Sequence, residues 1–310
     1  MSASREIFIK GLDNKEIFLR IWDYVEQPKA VVQIFHGMAE HSERYDDFAK
    51  YLNKQGYIVY SDDHRGHGKS KDKNGFGHVG ENGFNNIVED ENLITELIKR
   101  EYKNIPVYIF AHSFGSFIGQ EYITKYSKNI DGIILSGSAK QDGIEIKLAA
   151  VLAKIQRKLF NENEEARLID KLSFGSFNKG IDNQRGKFDW LTRDTNEVDK
   201  YIEDENCGFI SPINFYYNLF KGLNELYSID KLNKISKVLP ILILSGDRDP
   251  VGKYGKSVTR LYEQYRDLGV NNVSIKLYDD ARHELLNEIN KDEVYDYVGK
   301  WITSKIKLNK

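Results

Sequence analysis

Three side-chain types, met in the order Ser, Asp, His along the chain, carry the chemistry this sequence could do. The stretch IFAHSFGSF, residues 109–117, approaches the G-x-S-x-G pattern of a nucleophile elbow, with Ala111 where the first glycine usually stands. A catalytic serine needs an exposed Oγ, a base to take its proton, a group to orient that base, and N–H donors for the oxyanion. Ser113 lies between the buried-strand pattern PVYIFAH and the helix-like FGSFIGQEY, where a tight turn would lift it above a sheet edge. Taken alone, the motif also fits a serine that merely caps a helix. ILILSGDRDPVG places Asp249 just after another buried strand, and IKLYDDARHELLNE places His283 after the next. Both sit at carboxyl ends of strands, where open α/β sheets build their sites. Three suitable residue types, in one order and each at a strand end, point to a Ser113–Asp249–His283 triad. Asp247 is the competing carboxylate and is expected to stabilise the bend; Asp279 and Asp280 precede the histidine in the same loop.

The elements that must hold these residues follow from periodicity. EIFIKG and EIFLRIW alternate with period two around a polar turn, which predicts an antiparallel hairpin. AVVQIF, YIVYS, PVYIFAHS, GIILSG, LPILILSG and VSIKLY are short apolar runs of the kind found in strands buried on both faces. Helical patterns alternate with them, so the fold class is α/β, a mostly parallel sheet with helices on both faces. From 138 to 212 the strand signal lapses into helices and loops. The expected division is therefore a catalytic core of 1–137 and 213–310, interrupted by a helical cap over 138–212. In this architecture the oxyanion amides come from the residue after the nucleophile, Phe114, and from the loop after VVQIF, where Met38 is the candidate.

Composition removes several function classes. Across 310 residues, 45 basic and 47 acidic side chains nearly cancel, so no overall field favours nucleic acid. Cys207 is the sole cysteine, which excludes an internal disulfide. The amino-terminal residues alternate apolar and charged and lack the continuous apolar run of a signal peptide, which leads us to expect a cytoplasmic protein, peripheral at most on a membrane. GFGHVG (75–80) matches G-x-G-x-x-G but follows a polar loop rather than a strand, so it cannot cradle a pyrophosphate. His36, Glu40 and His41 miss the H-x-x-E-H spacing by one residue, and no metal site is expected. His64 and His67 read as loop architecture.

With these residues in hand, the chain resembles the monoglyceride lipase and bacterial lysophospholipase group of α/β-hydrolases over nearly its whole length. HGMAEHSERYDDFAKYL is similar to that group's HG-x-x-EHS-x-RY signature, SDDHRGHGKS to its D-x-x-GHG-x-S turn, and AHSFG to its GHSMG. GDRDPVGKYGKSV and ARHELLNE resemble its acid and histidine loops, and FDWLTRDTNEVDKYIEDENCGF the end of its cap. The departures are Ala111 and the Asp-Glu-Asn of DENCGF, where Asp-Pro-Leu is commoner. The resemblance implies a serine esterase that releases a fatty acid from a monoacylglycerol or lysophospholipid through an acyl-enzyme, without a cofactor. A proline-releasing serine aminopeptidase shares the fold and triad. It would need an acidic group in the cap, for which Glu203, Asp204 and Glu205 are the candidates. A non-catalytic binding protein on the same fold is the remaining class.

In the cap, IEIKLAAVLAKIQRKLF (144–160) sets Ile144, Leu148, Val151, Leu152, Ile155 and Leu159 on one helical face, with Lys147, Lys154, Arg157 and Lys158 among the rest. Such a helix either touches a lipid surface and admits an acyl chain or packs onto the core. Leu148, Leu152 and Ile155 are the candidate substrate contacts on it. Tyr216 and Tyr217 are expected either to line an acyl tunnel or to fill core.

Overall fold

The computed structural model describes residues 4–308. It is built on one sheet of eight strands: β1 (Arg5–Lys10), β2 (Glu16–Trp22), β3 (Ala30–Phe35), β4 (Tyr57–Asp62), β5 (Val107–His112), β6 (Gly132–Ser136), β7 (Ile241–Gly246) and β8 (Val273–Tyr278). Their spatial order is β1-β2-β4-β3-β5-β6-β7-β8. The first two form the expected hairpin, with Phe8 opposite Phe18, and β2 joins β4 antiparallel; every later pairing is parallel. Burial follows the sequence pattern. The central strands β3 to β7 are buried at every position, whereas edge strand β1 alternates and β8 is half-buried. Chain reversals are made where a side chain is least welcome: Gly56, just past the first helix, takes φ +90°.

Helices α1 (Asp46–Lys54), α2 (Gly83–Glu101) and α3 (Phe114–Tyr126) lie between successive strands up to β6. Then come α4 (Ile144–Leu159), α5 (Arg167–Phe174), α6 (Thr195–Glu203), α7 (Ile213–Leu226) and the single turn α8 (Ile229–Leu232) before β7; α9 (Lys256–Asp267) and α10 (Lys291–Leu308) complete the chain. Two apolar clusters cover the two faces of the sheet, one gathering α2, α3, α7 and α9 residues, the other α1 and α10 residues. A third, smaller one joins Trp190, Leu191, Tyr201 and Cys207 in the stretch between β6 and α7. That stretch contains no named strand. Its helix α4 packs along α7, which in turn packs on α2 and α3. Residues 75–80 form a loop ahead of α2 with no strand leading into it, so the G-x-G-x-x-G match has no phosphate-binding context. No helix among the described residues is long and apolar enough to cross a membrane.

Candidate active site

The turn between β5 and α3 is as tight as the chemistry requires. Ser113 takes φ 51° and ψ −118°, a conformation that a non-glycine residue occupies only when its surroundings impose it. What imposes it is close contact on both sides. Gly115 lies so near β3 that a Cβ there would stand 2.3 Å from the Phe35 carbonyl oxygen and 2.5 Å from that of His36. The Ser113 N–H donates to Ser136 O at 2.9 Å, which ties the turn to β6. Ala111 is fully buried, and its methyl faces Gly119 on α3: a Cβ at 119 would lie 3.1 Å from it. The space that the missing glycine would have left is thus recovered one helical turn later.

Ser113 Oγ lies 2.8 Å from His283 Nε2, and His283 Nδ1 lies 2.9 Å from Asp249 Oδ2. Asp249 follows β7 and is held by two further donors, the Val251 N–H on Oδ1 at 2.8 Å and the Ser245 hydroxyl on Oδ2 at 3.2 Å. Asp247 makes no such approach; its N–H donates to Tyr278 O in the bend. Asp280 is exposed beside Arg248. Burial disfavours the imidazolium of His283, yet Asp249 outweighs it and holds the pKa above the ordinary histidine value. The neighbouring His112 ring, 4.9 Å away, is buried and pushed down to about 4 by that burial and by His283, so it stays neutral.

Met38 and Phe114, the candidate oxyanion donors, line the same cavity as Ser113 and His283. Phe114 opens α3, and its N–H is one of the donors that a helix leaves unpaired at its start. In the loop after β3 the Gly37 N–H is taken by the Glu40 carboxylate, which leaves the next amide, that of Met38, as the candidate donor beside the cavity. Glu40 also accepts from the Tyr45 hydroxyl at 2.8 Å and from Arg44 Nη1 at 2.5 Å. Arg44 in turn clamps Glu284 in two-pronged fashion at 2.7 and 2.8 Å. One guanidinium thereby joins the loop of Met38 to the loop of His283. Burial would raise the Glu284 pKa, but Arg44 draws it down to about 2. Only the Glu40–Arg44 spacing of four residues is suggestive in sequence; Glu284 lies 240 residues further on. Trp190, whose ring centroid is 5.0 Å from that of His283, was also invisible to pattern reading.

Ser113 and His283 open into a cavity of about 430 Å³, within the usual range for small-molecule sites, lined mostly by apolar side chains. Met38, Phe114, Leu148, Leu152 and Tyr216 are on its wall, whereas Ile155 and Tyr217 are not. Ile155 shares the Leu148 face but lies two turns further along α4, past the cavity, and is 48% exposed. Tyr217 is rotated about 100° from Tyr216 on α7 and packs under the Arg157 guanidinium, 4.5 Å from its ring. Tyr216 reaches Asp170 Oδ1 through its hydroxyl at 3.0 Å. Of the acidic run expected to hold an ammonium, none lines the cavity: Asp204 pairs with His41 at 2.8 Å, and Glu203 and Glu205 are exposed. His36, His64 and His67 are indeed buried architecture, with the His64 N–H donating to His36 Nε2 at 2.8 Å.

Known proteins resemble this chain over nearly its whole length. A monoacylglycerol lipase of Mycolicibacterium smegmatis is 26% identical over 98% of this chain and 99% of its own. The monoglyceride lipase of Mus musculus is 25% identical over 95% of this chain and 89% of its own. A carboxyl esterase of Bacillus coagulans, solved with glycerol bound, superposes with a TM-score of 0.90 at 27% identity, covering 99% of this chain and 100% of that one. Residues 26–290 match the family described as serine aminopeptidase, S33. The chain belongs to that family of α/β-hydrolases and is a carboxylic ester hydrolase.

Proposed function

We propose that this protein hydrolyses monoacylglycerols through an acyl-enzyme on Ser113. The observation that carries the reading is the unbroken relay Ser113 Oγ–His283 Nε2 and His283 Nδ1–Asp249 Oδ2 at the edge of a mostly apolar cavity. Ser113 Oγ attacks the acyl carbon while its proton passes to His283 Nε2. The carbonyl oxygen, now an anion, accepts from the Met38 and Phe114 N–H groups. Collapse breaks the ester bond, and the departing glycerol oxygen takes the proton from His283. A water molecule then gives its proton to His283 and attacks the acyl carbon, releasing the fatty acid and Ser113. Collapse of the second intermediate returns that proton from His283 to Ser113 Oγ; Asp249 keeps the neutral imidazole in the tautomer that accepts at Nε2 and stabilises the imidazolium between steps.

A neutral head group is favoured because the cations on the cavity wall are matched: Lys253 by Glu145, and Lys187 by Asp170 at 3.3 Å. Neither is left for a phosphate. The aminopeptidase reading is disfavoured on similar grounds, since Glu40 and Glu284, the carboxylates beside the triad, are both engaged by Arg44. Residues 138–212 are assigned as a cap, with 1–137 and 213–310 as the catalytic core. Support comes from α4 and α5, which contribute Leu148, Leu152 and Asp170 to the cavity wall. Contact with a lipid surface is assigned to the outer face of α4, where Ile144, Val151, Ile155 and Leu159 are all exposed. Fatty-acid release from monooleoylglycerol and from lysophosphatidylcholine, and proline release from a prolyl peptide, each with Ser113→Ala as the blank, test the assignment. The glycerol ester should be turned over fastest; faster cleavage of the peptide would overturn it.

A further inference from the structure

Away from Ser113, one group of side chains combines three metal-binding types from distant parts of the chain. A ring nitrogen of His41, a carboxylate oxygen of Asp204 and Cys207 Sγ all lie within 4.8 Å of one another. The turn explains why two of them converge. Asp204 and Cys207 stand at its first and fourth positions, closed by the Cys207 N–H to Asp204 O at 3.0 Å. Asp204 Oδ1 is occupied within the turn by the Asn206 N–H at 2.8 Å, so Oδ2 is left to face His41. This is the spacing at which paired ligands of structural zinc sites usually sit on a turn.

Cys207 is buried and its thiol is free of any disulfide. His41 is buried too, while the Asp204 side chain is 30% exposed and leaves the ion a way in. We propose that His41, Asp204 and Cys207 bind a thiophilic divalent cation, zinc being the best match, with water as the fourth ligand. Tetrahedral zinc holds nitrogen, oxygen and sulfur ligands about 3.5 Å apart, so the His41–Asp204 pair opens slightly and Cys207 moves in. Binding releases the thiol proton to solvent, and the proton that His41 Nε2 donates to Asp204 in the metal-free protein moves through solvent to Nδ1, so that Nε2 presents a lone pair. Affinity therefore falls as the pH is lowered.

The site would clasp two segments that already touch. His41 follows the loop of Met38, and Ala39 O there accepts from the Gly208 N–H at 2.9 Å and the Tyr201 hydroxyl at 3.0 Å. A cation at this point ties the segment 201–208 to the loop that carries a candidate oxyanion amide.

Because Cys207 is the only cysteine, a thiolate signature can come from nowhere else in the chain. Purified protein should take up a single equivalent of zinc in competition with a chromophoric chelator. With cobalt in place of zinc it should show a sulfur-to-metal charge-transfer band. Cys207→Ser should lose the band, and either Cys207→Ser or His41→Gln should weaken zinc binding at least about tenfold. At zinc a hundredfold above Kd, Tm should rise by about 4 °C. Absence of the cobalt band in the wild-type protein, or zinc affinity unchanged in Cys207→Ser, would overturn the site. All these readouts report binding rather than turnover, so they stand or fall independently of the esterase reading.

Discussion

Replacing Gly115 by alanine adds one methyl group at the point where the elbow is pressed against β3. Two effects oppose each other. In a helix interior alanine is favoured over glycine by about 1 kcal/mol, and Gly115 is the second residue of α3. Against this, the new Cβ would meet the Phe35 carbonyl oxygen at 2.3 Å, its carbon at 2.6 Å and the His36 oxygen at 2.5 Å. These are backbone atoms of a fully buried strand and its exit, so no side chain can swing aside. Relief requires α3 and β3 to separate by about 1 Å, and overpacking of this kind costs roughly 3 kcal/mol or more. The clash should win, leaving a net loss of about 2–3 kcal/mol, which for a chain of this length lowers Tm by about 3–5 °C. The same movement displaces the Phe114 amide and Ser113, and misplacement by about 1 Å is worth around 10²-fold in rate. Differential scanning fluorimetry and the kcat for a soluble ester report the two consequences separately. Ala111→Gly, which removes a methyl already accommodated by Gly119, serves as the control and should keep kcat within a fewfold. A Gly115→Ala enzyme with wild-type Tm and kcat would refute the claim that this contact sets the elbow.

Four other outcomes are expected. Arg44→Met leaves the buried Glu40 and Glu284 carboxylates facing each other without their cation, and should destabilise the fold by about 3–5 kcal/mol, read as a Tm drop of about 5–8 °C. The Glu284 pKa, held down by Arg44 in the wild type, means that this contribution is present above the ordinary carboxylate range and lost as pH falls toward 2; in Arg44→Met the acid transition should begin at higher pH. Because His283 must be neutral to take the serine proton, kcat/KM should fall on acidification with a midpoint above 6.5, the direction in which its pKa is shifted. Asp249→Asn should cost about 10⁴-fold in kcat while leaving Tm within a few degrees. Finally, Val151→Glu with Leu159→Glu, both on the exposed α4 face, should weaken sedimentation with phosphatidylglycerol vesicles at least about tenfold, with hydrolysis of a soluble short-chain ester unchanged.

The strands were legible because burial on both faces leaves only one kind of sequence, and AVVQIF, VYIFAH and ILILSG have no other comfortable state in water. Ser113 and Asp249 could be placed for the same reason, since each follows such a strand, whereas His283 follows the half-buried β8, legible by its alternation of apolar and polar residues. What sequence could not supply was anything set by packing between segments far apart in the chain. The Glu40–Arg44–Glu284 bridge and the Trp190 ring beside His283 depend on loops meeting across the sheet edge. Ile155 and Tyr217 show the limit of helical periodicity: it tells which face a residue shares, but not where along the axis the cavity ends. The Ala111 departure had a specific answer that pattern reading lacked, because Gly119 lies outside the motif.

The central claim is that the ester's acyl group passes through Ser113. Rapid acid quench of the enzyme during turnover of a slowly deacylated ester, followed by intact-mass and peptide-level mass spectrometry, tests this most directly. The account expects a single acyl adduct on the peptide that contains Ser113 and none in Ser113→Ala. Continued hydrolysis with no adduct, or an adduct on another residue, would contradict it.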